Sequence, residues 1–406
     1  MTAKTILILG GGVGGIVAAN ALRRQLAAPH RIIVVDRRGE YVFTPSLLWV
    51  MVGQRRPDQI SKDLRRLLRP GVEVVRAEVE AIEPEQGRIR AGDRELAYDY
   101  LVVALGAELA PAAMPGYGEA AHNFFAPEGA AGLWQALARF EGGRAVVLVS
   151  SLPYKCPAAP YEAAMLLAEA LRRRRLQRGS RVEVFTPEPL PMPVAGPAMG
   201  EAVVQMMSAR GIAFHAKRQV QRLDAEAREL VFADGSREPF DFLAAVPPHR
   251  PPAVLRAAGL ANEAGWAPVD KRTLQTRFES VYVIGDAATI TLSNGKPLPK
   301  AGVFAHAQAE TVATRIAAEI QGSGARAEFD GAGYCWIEMG GGQAGFASGD
   351  FYAEPDPDVP LPRAGRLWHG AKVMFERYWL GEGATRAAMR LGMNLGARVF
   401  DIPARL

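Results

Sequence analysis

The stretch that decides the fold is Thr5-Ile6-Leu7-Ile8-Leu9-Gly10-Gly11-Gly12-Val13-Gly14-Gly15-Ile16. Thr5 to Leu9 is an almost unbroken apolar run, the pattern of a strand covered on both faces in a parallel sheet. Glycines follow where that strand must turn, Ile16 to Leu26 has helical composition, and Ile32-Ile33-Val34-Val35-Asp36 reads as a second strand. Together they form a βαβ opening. Gly10-x-Gly12-x-x-Gly15 therefore sits between a strand and a helix, with Asp36 at the end of the next strand. The first glycine permits the turn, the second lets the backbone approach a pyrophosphate, and the third lets helix and strand pack closely. Val13 and Gly14 fall in the first helical turn, where unpaired N–H groups and the helix dipole face an anion. Asp36, with Arg37 beside it, is placed to accept hydrogen bonds from an adenosine ribose.

Further strands are expected at Val72–Val75, Tyr100–Leu105, Ala145–Val149, Val182–Phe185, Leu243–Val246 and Val281–Ile284, and helices at Ala163–Leu176 and Ala305–Ile320. This alternation predicts an α/β protein with parallel sheets. A second strand-turn-helix-strand unit starts at Ala145 and ends at Phe185. The expected organisation is two Rossmann-like dinucleotide-binding domains, the second (113–249) inserted in the first (1–112 and 250–320). A C-terminal region, 321–406, follows with amphipathic helices. The run Arg172–Arg175 reads as a solvated helix face.

Composition narrows the function. The 406 residues are 49% hydrophobic and 22% charged, which is globular, and 48 Lys+Arg against 43 Asp+Glu leave a net charge of only +5. No long basic tail exists, so nucleic acid is not an expected partner. No transmembrane run and no cleavable signal peptide are visible. The two cysteines, Cys156 and Cys335, are too few for a disulfide framework or a zinc site. They are either ordinary buried thiols or one functional pair. His249 and His306 stand apart from other metal ligands and read as packing histidines, so no metal is expected.

Two distant segments bear on which dinucleotide binds. Tyr98-Asp99-Tyr100-Leu101-Val102-Val103-Ala104-Leu105-Gly106-Ala107 and Val283-Ile284-Gly285-Asp286-Ala287-Ala288 resemble the further signatures of flavoproteins with two dinucleotide-binding domains. The resemblance implies FAD, with Ala104, Gly106 and Gly285 near it and the Asp286 carboxylate on the ribityl chain. In such proteins the second unit carries another glycine fingerprint, for NAD(P)H. Here that turn is Ser150-Ser151-Leu152-Pro153-Tyr154-Lys155-Cys156-Pro157-Ala158-Ala159-Pro160-Tyr161-Glu162, without a glycine. Bulky residues and prolines hold the backbone away from a pyrophosphate and remove donors, so NAD(P)H binding there is expected to be lost.

The motif Cys156-Pro-x-x-Pro160-Tyr161-Glu162, together with Gly333-Tyr334-Cys335-Trp336 beyond the flavin segments, resembles the flavoprotein sulfide dehydrogenases: sulfide:quinone oxidoreductases and the flavin subunit of flavocytochrome c. Pro299-Lys300-Ala301-Gly302, Phe43-x-Pro45 and Trp49-Val50-x-x-Gly53 are similar to landmarks of the same family. The resemblance implies FAD-dependent oxidation of sulfide through a Cys156/Cys335 disulfide–persulfide relay to sulfane sulfur or polysulfide. It implies Glu162 as a proton carrier, or otherwise a cap on its own helix. Lys300 would stabilise negative charge on flavin or quinone, or otherwise be a surface lysine, and Gly302 lies beside the cofactor. In flavocytochrome c relatives a cysteine in the N-terminal part binds the flavin covalently; no cysteine precedes Cys156 here, so FAD is expected to be held noncovalently or through an atypical linkage. The acceptor is a quinone, with a cytochrome c or copper protein as the alternative; a flavin-containing sulfur carrier without turnover is a third possibility. The segment Leu367 to Leu380, with Leu367, Ala371, Met374, Phe375 and Tyr378 at helical spacing, and the segment Thr385 to Phe400 resemble interfacial helices. They suggest a peripheral protein on the cell membrane, side undetermined, or else faces that pack on the protein itself, and a homo-oligomer is possible.

Overall fold

The computed structural model describes residues 2–324, 326–361 and 363–399. In chain order the elements that matter are β1 (Thr5–Leu9), α1 (Val13–Gln25), β2 (Arg31–Asp36), β3 (Val72–Arg76), β4 (Tyr100–Val103), β5 (Gly143–Val149), α2 (Ala159–Arg173), β6 (Ser180–Phe185), β7 (Ile212–His215), β8 (Phe242–Val246) and β9 (Val281–Val283). They are followed by α3 (Gly302–Gln321), β10 (Ala332–Gly340), β11 (Gln343–Asp350), β12 (Arg363–Gly365), α4 (Arg366–Leu380) and α5 (Gly383–Val399).

Two parallel sheets carry the architecture. The first runs β9-β4-β1-β2-β3 and the second β7-β6-β5-β8, so each places its first strand beside a later one and reverses direction of winding there. All pairings within both are parallel. Ligands of such sheets bind outside the carboxyl ends of the strands at that reversal. Ile6, Leu7, Ile8 and Leu9 are wholly buried, as are Ala145 to Val149. Each fully buried Val, Leu or Ile contributes about 1.5–3 kcal/mol, which explains the continuous apolar runs of both central strands.

The first sheet is covered by α1 and α3, whose contact is lined by small residues such as Ala18, Ala19, Ala309 and Ala313. A third, antiparallel sheet, β10-β11-β12, sets Cys335 opposite Ala347 and lies against α2. Helix α4 then turns its aromatic side inward. Phe375 meets Phe43 and Trp336, and Trp379 stacks on Tyr41. Phe375 and Tyr378, expected on a membrane-facing stripe, are therefore packed on the protein itself, and of that stripe Leu367 is exposed. Helix α5 differs: none of its residues is buried, and Leu391, Leu395 and Val399 form an exposed stripe. Phe400 and the residues after it lie outside the described residues.

Candidate active site

One cavity of about 1210 Å³ runs along the carboxyl ends of both parallel sheets and under β10. Its first part is the glycine turn. Gly10 has φ +102°, and a Cβ there would lie 2.4 Å from the Ala104 carbonyl oxygen. A Cβ on Gly15 would lie 1.8 Å from the Gly10 oxygen, which is the close helix–strand approach expected of the third glycine. Gly12 differs, because nothing lies within 4 Å of its Cβ position. That open face, at the amino end of α1, suits a diphosphate. No acidic side chain stands in the first turn of α1 and no side chain caps it.

Asp36 closes the turn from the other side. Its Oδ2 accepts the Gly11 N–H at 2.8 Å and its Oδ1 the Arg38 and Gly39 N–H groups. Arg37 lines the rim of the same cavity, partly exposed, and pairs with Glu78 at 3.5 Å. Ala104, Gly106 and Gly302 line the same cavity. Gly285 has φ +68° and donates its N–H to Gln308 Oε1, fixing the turn that presents Asp286. The Asp286 carboxylate lines the cavity and makes no hydrogen bond to any described residue. Burial raises its pKa, against the opposing charges of Lys155 and Lys300. A cradle that a Cβ would fill and an unpartnered acceptor beyond it fit a flavin dinucleotide.

The second turn is built differently. The Cys156 N–H donates to the Lys300 carbonyl at 2.7 Å, and the Ala159 N–H donates to the Cys156 carbonyl at 2.9 Å. Pro157 and Pro160 have no N–H, and Glu162 puts a carboxylate in the first turn of α2. The donors and the positive helix end that a nicotinamide dinucleotide needs are therefore taken. Cys156 itself adopts φ +55°, a left-handed conformation costing about 1–2 kcal/mol for a residue with a Cβ.

Cys335 reaches the cavity from β10, and its Sγ donates to the Trp336 carbonyl at 3.3 Å. The structure thus brings the chain's two cysteines to one cavity, although they are 179 positions apart in sequence (335 minus 156). Burial pushes the Cys156 thiol up to about 12, with a further rise from Glu162 and an opposing pull from Lys372. Burial also raises Cys335 strongly, with Cys156 and Glu162 adding to it.

Glu162 does not cap its own helix. Its Oε1 accepts the Lys372 ammonium at 2.5 Å and the Glu338 backbone N–H at 2.6 Å. Burial works against the Lys372 charge, yet Glu162 and Glu338 outweigh it and raise the pKa. Glu338 in turn meets His369 Nδ1 at 2.8 Å. Lys300 is not a solvated surface lysine. Its Nζ donates to the Asp286 carbonyl at 2.7 Å and lies 3.4 Å from the centre of the Trp266 ring, and burial lowers its pKa to about 8. Through its own carbonyl it holds Cys156, so one residue ties the Asp286 turn to the cysteine turn.

These observations identify the framework, and a family model described as pyridine nucleotide-disulphide oxidoreductase matches residues 4–309. The chain belongs to that family. It is an FAD-dependent oxidoreductase. The chain is 25% identical to a mouse mitochondrial sulfide:quinone oxidoreductase over 96% of its own length and 90% of that protein's. It is 26% identical to a sulfide-quinone reductase of Aquifex aeolicus, over 93% of its length and 90% of the relative's. The solved structure of the Aquifex aeolicus sulfide:quinone oxidoreductase superposes with a TM-score of 0.84 at 23% identity, covering 100% of this chain and 96% of that one. The resemblance drawn from the cysteine motif and the α/β fold with Rossmann-like sheets are both borne out.

Several residues of the site are not evident from sequence. Lys155 is half-buried at the cavity without a hydrogen bond to any described residue, and desolvation lowers its pKa despite the attraction of Asp286. Lys372, Glu338 and His369 lie in the C-terminal part, where a helical stripe drew attention to the apolar positions. His249 and His306 pack against Phe125 and Trp379, as packing histidines do. Among the described residues no cluster of metal ligands occurs.

Proposed function

We propose that the chain oxidises sulfide and passes the electrons to a quinone, with Cys156 and Cys335 as the redox pair and sulfane sulfur as the product. The observation that carries this is that both cysteines line the cavity that also holds the first glycine turn, next to a second turn whose nucleotide-binding donors are consumed. Gly10, Gly12, Gly15, Asp36 and Asp286 would hold FAD, which when bound would supply a two-electron acceptor between sulfide and quinone.

The chain's own part starts at a Cys156–Cys335 disulfide. Hydrosulfide attacks one sulfur, the S–S bond breaks, the attacked cysteine keeps a persulfide and the other leaves as a thiolate. A thiolate is costly in this buried place, as the raised pKa values of both thiols indicate. Lys372 is the cation that opposes both rises, and Glu162 holds it in place. Glu162 thus acts through Lys372. Lys300 keeps the cysteine turn and the Asp286 turn in fixed relation. A second hydrosulfide then removes the persulfide sulfur as hydrodisulfide, leaving two cysteine thiols, whose re-oxidation to the disulfide would release two protons and pass two electrons to bound FAD.

The aromatic arm of the cavity, with Tyr41, Phe43, Trp336, Phe375 and Trp379, suits an apolar ring. The exposed Leu391, Leu395 and Val399 stripe on α5 supports attachment to the membrane surface in which such a quinone dissolves. No helix among the described residues is long and apolar enough to cross a membrane.

The test is acceptor dependence of the purified holoenzyme. Sulfide is expected to drive loss of the absorbance of a short-chain ubiquinone, one quinone being reduced for every two sulfides consumed when hydrodisulfide is the product. Reduction of cytochrome c or a copper protein without quinone would overturn the quinone assignment. Failure of sulfide to reduce any acceptor would overturn the enzyme's assignment to sulfide.

A further inference from the structure

In a nucleotide-binding βαβ unit, a carboxylate after the second strand faces the ribose. In the second unit that place belongs to Glu188, three residues beyond β6. Its side chain is buried, and three hydroxyls converge on its Oε2: Tyr154 at 2.9 Å, Thr186 at 3.0 Å, and Tyr161. Tyr154 stands two residues before Cys156 and Tyr161 five residues after it. Both tyrosines are buried. One carboxylate therefore grips the cysteine turn on both sides, while the Lys300 carbonyl holds the Cys156 N–H between them.

We propose that Glu188, with Tyr154 and Tyr161, is a positioning clamp that holds Cys156 in its left-handed conformation and aims its sulfur at Cys335. The carboxylate that would recognise a nucleotide ribose serves here to orient a thiol. A left-handed backbone at a residue with a Cβ persists only where the surroundings fix it. Two tyrosines anchored to one buried acceptor supply such fixation, and the phenol hydroxyls are satisfied by the same contact. Glutamine in place of Glu188 would carry one acceptor oxygen for three donors and would add two N–H donors with no acceptor shown for them.

This inference rests on the assignment of Cys156 and Cys335 as a redox pair, and its test reads that pair without sulfide or quinone. Holoenzyme is equilibrated in glutathione buffers of stepped ratio, quenched by alkylation, and scored by mass for the intramolecular disulfide. In this equilibrium the two cysteine thiols and one glutathione disulfide give one protein disulfide and two glutathione thiols, two electrons passing to glutathione. A clamp raises the effective concentration of one thiol at the other. Glu188→Gln and Tyr154→Phe are each expected to lower the equilibrium constant for disulfide formation about tenfold, equivalent to about 30 mV. The double variant is expected to do no more than the stronger single one, because both act through one contact. An unchanged constant in Tyr154→Phe, or additive effects in the double variant, would overturn the clamp even if unfolding temperatures fall. Tyr154→Phe keeps the test decisive should Glu188→Gln not fold. If the wild type itself forms no intramolecular disulfide, the redox pair fails and the clamp with it, a result distinct from equal constants in wild type and variants.

Discussion

The two βαβ units of this chain share strand order and parallel pairing and differ at one turn. In the first, Gly10, Gly12 and Gly15 bring backbone close to backbone and leave the face of Gly12 open, with Asp36 accepting only backbone N–H groups. In the second, prolines, bulky side chains and engaged N–H groups close the equivalent turn, and Glu188 accepts tyrosine hydroxyls. The same scaffold therefore leaves an open glycine turn at one site and presents a thiol at the other. The difference teaches that the crevice at a sheet's point of reversal is a place for positioning a reactive group, whether a cofactor or a side chain.

Breaking the second unit should have the largest effect. Cys156→Ser and Cys335→Ser are each expected to slow reduction of the flavin by sulfide on the order of a thousandfold or more, while FAD stays bound, as read by stopped-flow absorbance and cofactor content. Normal reduction in either variant would separate the cysteines from the chemistry. Breaking the first unit should act on binding instead. Gly15→Ala places a methyl 1.8 Å from the Gly10 oxygen, and a loss of at least about 3 kcal/mol is expected, seen as lost FAD and a lowered unfolding temperature. Cys156 variants should show neither change.

The contrast is sharpened by pH. With its pKa pushed up to about 12, the Cys156 thiol is protonated at neutral pH and becomes the reactive thiolate only as pH rises. In reduced Cys335→Ser holoenzyme, alkylation of Cys156 should therefore accelerate about tenfold per pH unit between roughly pH 7 and 10. A plateau near pH 8.5 would show a solvent-like thiol and contradict the burial of the second turn. The smallest effect lies outside both units. Leu391→Glu with Leu395→Glu should weaken flotation with phospholipid vesicles by about fivefold and leave FAD content unchanged.

Much of the framework is legible in sequence because its signals are local. Strand runs such as Ile6–Leu9 and Val146–Val149 are apolar throughout since both faces are covered, and the glycine spacing follows from contacts within one turn. The absence of glycine after β5 is equally local. Cys335, by contrast, reaches the cavity of Cys156 only through the packing of β10 on α2, which no local spacing shows. Lys372 was hidden for a related reason. On α4 it shares the inward face with Phe375 and Trp379, and a lysine on a buried helical face is intelligible only once Glu162 is seen opposite it. The aromatic positions of α4 misled in the same way, because an amphipathic stripe shows that a face is covered without showing what covers it. Glu188 follows β6 as Asp36 ends β2, but what it holds is not legible there, because Tyr154 lies in the cysteine turn and Tyr161 on α2.

The central claim is that the second unit has exchanged a nicotinamide nucleotide for a cysteine as the group that meets the flavin. Anaerobic mixing of the oxidised holoenzyme with sulfide or with NADH, followed at the visible flavin band, tests it most directly. Sulfide is expected to bleach the band rapidly and NADH negligibly. Rapid bleaching by NADH, or none by sulfide, would contradict the account.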